Sequence, residues 1–445
     1  MKIGMQTWGS HGDIRPFLAL AEGLQRAGHE VHLVLTCVES DDYKHVVSEH
    51  GVRITVLGSP VLRPDRQEGT IRMAHAIRNP MKQMDAILQL CFAPVEDLLF
   101  DAAQRLASES DLLIGHFFMH PLQIAAEWAG RPYVSVVLSH ATIPSDFHHP
   151  AVPGNIGKLG NRLLWTLTRF MLNRALGHYP NRLRRNMGMP ATRDIVKELW
   201  LSKSLTLAAI SPRICRAQPD WPASVKVCGF LDTPNIGIEG SLPAALDAFL
   251  AAGDAPVYMT LGSWMPRDTA GQTETLQLLT AAARSTGYRA IIQSLAPQDC
   301  GFQSDAQIMY VQAAPHQALF PRCRAVVHHG GAGTTQSATL AGKPSIVIAH
   351  LGEQEHWGRE LQRLGIAGKT LRRRNLTAAR LARAITAVLD APAMASQAQR
   401  LSADMRKENG VAEAVKLITE TFGTYANTGP QSKKPHRDHL VGFRL

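Results

Sequence analysis

The sequence predicts an α/β protein made of two doubly wound domains that face each other across a cleft. Three observations carry this. The 445 residues exceed one ordinary core and suit two domains of about 200 residues each. Apolar runs that read as strands alternate with amphipathic helical stretches, the pattern of parallel sheets covered on both faces. The pattern then starts again after a stretch rich in Pro and Gly between residues 211 and 240. The expected division is a first domain over 1–215, a linker over 216–240, a second domain over 241–425 and a basic tail over 426–445 that is disordered by composition.

In the first domain, Lys2–Thr7 reads as a strand and runs into a glycine-bearing loop, Trp8-Gly9-Ser10-His11-Gly12-Asp13. A helix is expected next, with Pro16 in its first turn. Phe17, Leu20, Ala21 and Leu24 recur at i, i+3, i+4 and i+7, and Gly28 stops it. Val31–Leu35, Arg53–Leu57, Leu112–Gly115 and Tyr133–Leu138 read as further strands, the last two separated by the helical stretch Pro121–Ala129. In the second domain Pro256–Leu261 is a strand, Gly262-Ser263-Trp264 its loop and Thr273–Ser285 a helix. Arg289–Ser294, Gln307–Gln312, Ala325–His328 and Ser345–Ala349 are the later strands, and helices dominate from Trp357 to Thr421. Two such domains place a ligand at the carboxyl ends of both sets of strands.

Composition narrows the class. With 45% hydrophobic residues, 35 Gly and 26 Pro, the chain is neither disordered throughout nor fibrous. Its six cysteines are scattered without a CxxC pair, which argues against a zinc ribbon or a disulfide scaffold and fits a reducing cytosol. The opening MKIGMQTWGSHGD leads straight into a strand, so no signal peptide is expected. No apolar run approaches the ~20 residues that span a bilayer, and a soluble cytoplasmic protein is expected. The net charge of +10 comes partly from RLRR at 182–185, LRRRN at 371–375 and the tail. These read as solvated faces; without zinc-finger spacing, an aromatic RNA-binding consensus or a basic heptad region, no nucleic-acid partner is expected. His116 and His120, spaced i, i+4, and the pair His148-His149 come without a metalloprotease Glu. They read as structural or pocket-lining, and no metal is expected.

The most specific segment is Ala325–Gln354, AVVHHGGAGTTQSATLAGKPSIVIAHLGEQ. A buried strand ends in His328-His329, Gly330-Gly331-Ala332-Gly333 lets backbone amides approach an anion, and Thr334 and Thr335 open a helix. Amides at a helix N-terminus can hold a diphosphate without a metal. The plainer reading is a tight strand-to-helix turn, but the His and Thr flanks favour the anion site. The Gly-Lys-Ser/Thr ending of a Walker loop, the Gly-x-Gly-x-x-Gly of a nicotinamide site and the Gly-x-Ser-x-Gly elbow of a lipase are all missing.

This segment resembles the nucleotide-sugar signature of the inverting GT-B glycosyltransferases of family 1 type, the superfamily of macrolide, glycopeptide, sterol and rhamnolipid glycosyltransferases. The resemblance extends over most of the chain, through GSHGDIRPFLALAEGLQRAGHEV at 9–31, VCGF at 227–230, LGS at 261–263 and APHQALFPRC at 314–323. It implies the GT-B fold of two Rossmann-like domains, the first binding the acceptor and the second the nucleotide sugar. It further implies that His329 and the amides of Gly331, Ala332, Gly333 and Thr334 contact the diphosphate, with Ser263 near the phosphates. Glu353-Gln354 falls where the family usually has Asp-Gln, the pair on the sugar hydroxyls. Plant relatives stack uracil on a Trp that would align near Ala313, and this chain has none there, so UDP and dTDP donors both fit.

The expected reaction is therefore metal-independent transfer of a hexose or deoxyhexose to a hydroxyl of an apolar small molecule or lipid. The nucleotide sugar is a co-substrate and no cofactor is expected. Inversion needs a general base. Asp13 is the candidate and His11 its rival, although an Asp there also suits a helix cap. A nucleotide-sugar epimerase on the same fold and a noncatalytic auxiliary subunit are the alternatives. Along Asn161–Leu176, Leu164, Trp165, Leu167, Thr168, Met171, Leu172 and Leu176 share one broad apolar face. Such a face packs on a core. The resemblance places this region at the acceptor pocket, and a basic amphipathic helix also suits peripheral contact with the inner membrane face.

Overall fold

The computed structural model describes residues 1–38, 42–58, 77, 79–152, 154, 156–232, 242–262 and 265–423. The expected basic tail lies outside them, as do Ser263 and Trp264. Among the described residues, thirteen strands form two wholly parallel sheets. The first contains β1 (Lys2–Gly9), β2 (Glu30–Cys37), β3 (Arg53–Val56), β4 (Leu112–His116), β5 (Tyr133–Val137), β6 (Leu205–Ala208) and β7 (Val225–Val227), in the order β3-β2-β1-β4-β5-β6-β7. The second contains β8 (Val257–Met259), β9 (Ala290–Gln293), β10 (Ile308–Val311), β11 (Ala325–His328), β12 (Ser345–Ala349) and β13 (Leu371–Arg372), in the order β10-β9-β8-β11-β12-β13. Each order reverses direction once, between β1 and β4 and between β8 and β11, and a ligand crevice opens at such switch points. Central strands are covered on both faces, so β4, β5 and β11 are buried at every residue.

The helices that bear on function are α1 (His11–Arg26), α2 (Glu96–Glu109), α3 (His120–Trp128), α4 (Gly157–Leu176), α5 (Thr269–Thr286), α6 (Ala332–Leu340), α7 (Gly352–Arg363) and α8 (Gly410–Phe422). No helix among the described residues is long and apolar enough to cross a membrane. Two of the three arginines of the 182–185 run make ion pairs, Arg182 with Glu96 and Asp97 and the buried Arg184 with Glu127 at 2.7 Å, while Arg185 is exposed.

Several expectations are corrected. Helix α1 starts at His11 rather than near Pro16, because Ser10 in extended backbone caps it and Asp13 sits in its first turn. The cost of Pro16 inside the helix is the loss of one backbone donor. Strand β6 was not expected, and β7 lies inside the stretch read as linker, where three residues are too few to show a period. Helix α8 leaves the second sheet and packs on the first, with Val411, Ala414, Ile418 and Phe422 in the same core as Phe17, Leu20 and Leu24. Two glycines allow that crossing: a methyl on Gly23 would lie 2.3 Å from Val411, and one on Gly410 would lie 2.2 Å from the Phe230 carbonyl oxygen.

Helix α4 does not have the single broad face read from sequence. It buries Asn161, Trp165, Leu172 and Leu176, whereas Leu167 and Met171 point outward beside Leu159, Leu163 and Phe170.

The two halves meet on a small apolar cluster of Ile210, Ile214 and Cys215 against Trp357 and Met405. Beside it the buried Gln336 side chain accepts from the Ser211 N–H at 2.8 Å and donates to the Ala209 carbonyl at 3.2 Å. Both backbone groups would otherwise be orphaned on the cleft floor.

Candidate active site

Strand β11 delivers its last residue, His328, to the carboxyl edge of the second sheet, and the chain turns into α6 over three residues. Gly330 takes φ +86°, and a methyl on it would lie 2.9 Å from the Gln354 carbonyl oxygen, so glycine is required there on two counts. The Gly330 N–H is held by His328 Nδ1 at 3.1 Å. Gly331 precedes α6 in extended backbone and offers no side-chain cap. The amides of the first turn therefore lack intrahelical partners. Residues 331–334 are partly exposed, so these amides and the positive helix end face the cleft.

The His329 ring is wedged between Gly262 and Gly331. A methyl on Gly262 would lie 2.6 Å from its Cε1, and one on Gly331 would lie 2.3 Å from its Nε2. Its Nδ1 is buried without a hydrogen-bond partner. Burial, and secondarily His316, lower its pKa to about 4, so the imidazole is neutral at pH 7 and has one N–H to donate. His329 and the amides of Gly331, Ala332, Gly333 and Thr334 are thus brought to one place. Ser263 lies outside the described residues.

Directly opposite is the start of α1. A methyl on Gly333 would come within 3.9 Å of the Gly12 Cα, so the two helix beginnings confront each other across the gap. Asp13 Oδ2 accepts from the Ser10 N–H and the Ser10 hydroxyl, both at 2.8 Å. Its Oδ1 faces His116 Nε2 at 3.6 Å. His116 is buried at the end of β4 and accepts from the Phe118 N–H through Nδ1 at 3.4 Å, an arrangement that leaves the proton on Nε2, toward Asp13. His11 instead directs Nδ1 to the Tyr43 hydroxyl at 2.8 Å. His116 and His120 do not converge, for His120 Nε2 sits 2.6 Å from Glu96 Oε1 on α2.

The third wall is the start of α7. Gln354 is buried, and its side-chain oxygen accepts from the N–H groups of His350 and Leu351 at 2.7 and 3.2 Å, capping the helix. Glu353 stands in the cleft with its side chain exposed to solvent, while the residues around it withdraw part of its hydration. Enclosure first, and then repulsion from Asp13, push its carboxyl up to about 7; Trp357 and Ser139 oppose the shift. Solvent at the cleft mouth screens part of that effect. Asp13, Glu353 and the α6 amides thus share one gap.

Sequence reasoning left His116 as a structural or pocket-lining histidine without a partner, and missed Ser139 and Gln336 as contributors. The signal for His116 was its place at the carboxyl end of the strand beside β1, which becomes visible only once strand order is known. A cavity lined by Phe230, Gln317, Leu340, Met405 and Glu408 lies beyond the other end of α6 and does not belong to this gap.

Comparison with known proteins agrees with this architecture. Residues 3–97 match the glycosyltransferase family 28 N-terminal domain, and residues 303–421 match the erythromycin biosynthesis protein CIII-like C-terminal domain. The chain is 30% identical over 439 residues to the O-mycaminosyltylonolide 6-deoxyallosyltransferase of Streptomyces fradiae, covering 94% of this chain and 97% of that one. It is 27% identical over 440 residues to a sterol 3-beta-glucosyltransferase of Arabidopsis thaliana, covering 94% of this chain and 65% of the relative. The crystal structure of the glycosyltransferase VinC in complex with dTDP superposes with a TM-score of 0.64 at 19% identity, covering 95% of this chain and 100% of that one, and so shares the fold. With its two parallel sheets of seven and six strands, opposed helix beginnings and a relative matched over nearly its whole length, the chain belongs to the GT-B glycosyltransferases, in the group that holds the macrolide, glycopeptide and sterol enzymes.

Proposed function

We propose that the protein is an inverting, metal-independent glycosyltransferase that moves a hexose or deoxyhexose from a dTDP- or UDP-sugar to a hydroxyl of an apolar small molecule or lipid. The observation that carries this reading is the confrontation of an uncapped helix N-terminus with a carboxylate across one gap. The half that contains residues 1–215 binds the acceptor, and the half from 241 onward binds the donor. The α6 amides of Gly331 to Thr334 and the neutral His329 hold the diphosphate, whose negative charge grows as the bond from the anomeric carbon to its phosphate oxygen breaks. The family resemblance assigns Ser263 a part in binding the phosphates. Asp13 takes the proton from the acceptor hydroxyl as that oxygen attacks the opposite face of the anomeric carbon. Asp13 is favoured over His11 because its Oδ1 is directed toward His116, whose N–H steadies the charge, while the His11 ring is turned to Tyr43. Gln354 and Glu353 meet the sugar hydroxyls. A Glu353 carboxyl near 7 is in part protonated at neutral pH, so it donates as well as accepts.

The names of the relatives favour a deoxysugar or glucose donor and a macrolide or sterol acceptor. The test is incubation of the purified chain with dTDP- and UDP-sugars, with and without lipid extract or macrolide aglycones, in the presence of EDTA. Transfer with inverted anomeric configuration in EDTA is expected. A new nucleotide sugar formed without acceptor identifies an epimerase, inertness toward every donor identifies an auxiliary subunit, and complete metal-reversible loss of activity refutes the metal-free mechanism.

One observation favours a lipid-associated acceptor. Leu159, Leu163 and Phe170 on α4 are 78%, 73% and 63% exposed, and the helix carries Lys158, Arg162, Arg169 and Arg174 with no acid. We place this face on the cytoplasmic surface of a membrane. Sedimentation with anionic vesicles, lost in Leu163→Gln/Phe170→Gln, tests the contact, and equal recovery of both proteins in the supernatant refutes it.

A further inference from the structure

On the far side of Glu353 the two halves meet again through a cluster of histidines that the transfer reaction does not use. His140 begins the turn that follows β5 in the acceptor half. His356 and Glu360 lie on α7 in the donor half, at the i, i+4 spacing that puts two side chains on one helix face. One ligand-type atom from each of the three lies within 4.8 Å of the others. The Nε2 atoms of His140 and His356 are 2.9 Å apart, and both rings are buried. His148 stacks beside them, its ring 5.1 Å from that of His356, and its buried Nε2 has no hydrogen-bond partner.

We propose that His140, His356 and Glu360, with His148 as a fourth group, form a site for a divalent transition metal of the zinc class that joins the two halves of the protein. Two imidazole nitrogens about 2.0–2.1 Å from a metal are about 2.9 Å apart at a right angle and about 3.4 Å apart in a tetrahedron, so the observed pair needs only a small opening. Two neutral imidazoles and a carboxylate are ligands of the kind zinc takes. One oxygen of Glu360, Oε2, is held by Arg363 at 2.8 Å, and the other can reach the metal. That ion pair fixes the orientation of the carboxylate, as neighbouring groups usually do for carboxylates that bind a metal. Arg359 and Arg363 also lie near the cluster, and their charge sets a ceiling on the affinity for any cation. With no metal, the facing Nε2 atoms share a single proton; when a metal binds both, that proton moves to the Nδ1 of its own ring, so each imidazole stays neutral.

The metal acts here as a clamp and neutralises no phosphate charge. Glu353 stands three residues before His356 on α7 and approaches Ser139, the neighbour of His140. Occupancy would therefore fasten the helix that bears Glu353-Gln354 to the acceptor half while leaving the α6 amides untouched. The inference stands apart from the transfer reading, and its test uses neither sugar nor acceptor.

The full chain, stripped with EDTA and dialysed, is titrated with zinc chloride by calorimetry and with cobalt(II) by visible absorption. One equivalent per chain is expected, with cobalt bands of nitrogen and oxygen ligation and no thiolate charge-transfer band. Glu360→Gln should weaken binding by about 10–100-fold, and His140→Ala/His356→Ala should abolish it. His178→Ala, an exposed histidine elsewhere, should leave binding unchanged. At a zinc concentration that saturates the wild type, the rise in Tm should be smaller in Glu360→Gln than in the wild type. Should the double variant fail to fold, the isosteric Glu360→Gln decides. Binding at wild-type affinity in Glu360→Gln, a thiolate band, or no saturable binding to the wild type overturns the proposal and leaves a plain hydrogen-bonded histidine pair.

Discussion

The β1–α1 and β11–α6 junctions are the same architectural piece, a buried parallel strand that passes through a glycine loop into a helix, and they face each other. They differ in one respect. At α1 the Asp13 carboxylate folds back on Ser10 and supplies the negative charge that the helix end attracts. At α6 the first turn is Ala332-Gly333-Thr334 after Gly331, with no acid and no side-chain cap. One junction therefore presents a carboxylate and the other presents amide donors. A single acid in the first turn converts an anion site into its electrostatic opposite, and a reaction that needs a base on one side and a leaving anion on the other can use both.

The sharpest way to break this contrast is Asp13→Asn. An Asn at this position keeps one side-chain oxygen to accept from Ser10, so the fold and donor affinity should stay in place, while turnover should fall by ~10²–10⁴-fold. If single-turnover assays show near-normal rates, and His11→Ala abolishes them in a folded protein, the base is His11. His329→Ala should come next, weakening donor binding by ~1.5–3 kcal/mol through loss of a hydrogen bond to a charged group. Unchanged dTDP affinity by calorimetry would take His329 out of the site. Gly333→Asp makes the α6 junction resemble that of α1. Gly333 does not have a positive φ and a methyl there meets nothing closer than 3.9 Å, so the fold should tolerate it. Donor affinity should fall at least about tenfold, equivalent to ~1.4 kcal/mol, and a wild-type Kd would show that these amides do not carry the diphosphate.

The smallest effect concerns Glu353. Its carboxyl is raised from 4.5 to about 7, so the folded protein holds that proton more tightly than the unfolded chain. The associated stabilisation is fully present below pH 4.5 and is lost as pH rises through 7. Glu353→Gln should remove this loss, so the Tm of the variant should gain on the wild type between about pH 4.5 and pH 7 and hold that gain above it. Asp13→Asn should lower the Glu353 pKa, because Asp13 is the second cause of the shift. A pH-independent Tm difference would mean that the cleft does not perturb Glu353.

Sequence by itself determined the fold class, both sets of central strands and the glycine loop between β11 and α6, because these rest on local signals. Buried parallel strands are continuous apolar runs, helices between them repeat every three to four residues, and a glycine loop at a strand end is contiguous in the chain. The start of α1 was misplaced because the cap at Ser10 depends on where the Asp13 side chain turns. Strand β7 was too short to show a period. The return of α8 to the first sheet was hidden because Gly23, Gly410 and Phe230 are far apart in sequence and only their close approach reveals the crossing. Tertiary structure alone decided that His116 backs Asp13, that Glu353 shares the gap with it, and that His140 meets His356. Each of these pairs joins residues from different strands or different halves. Their interaction falls off within a few ångströms, and no periodicity along the chain records it.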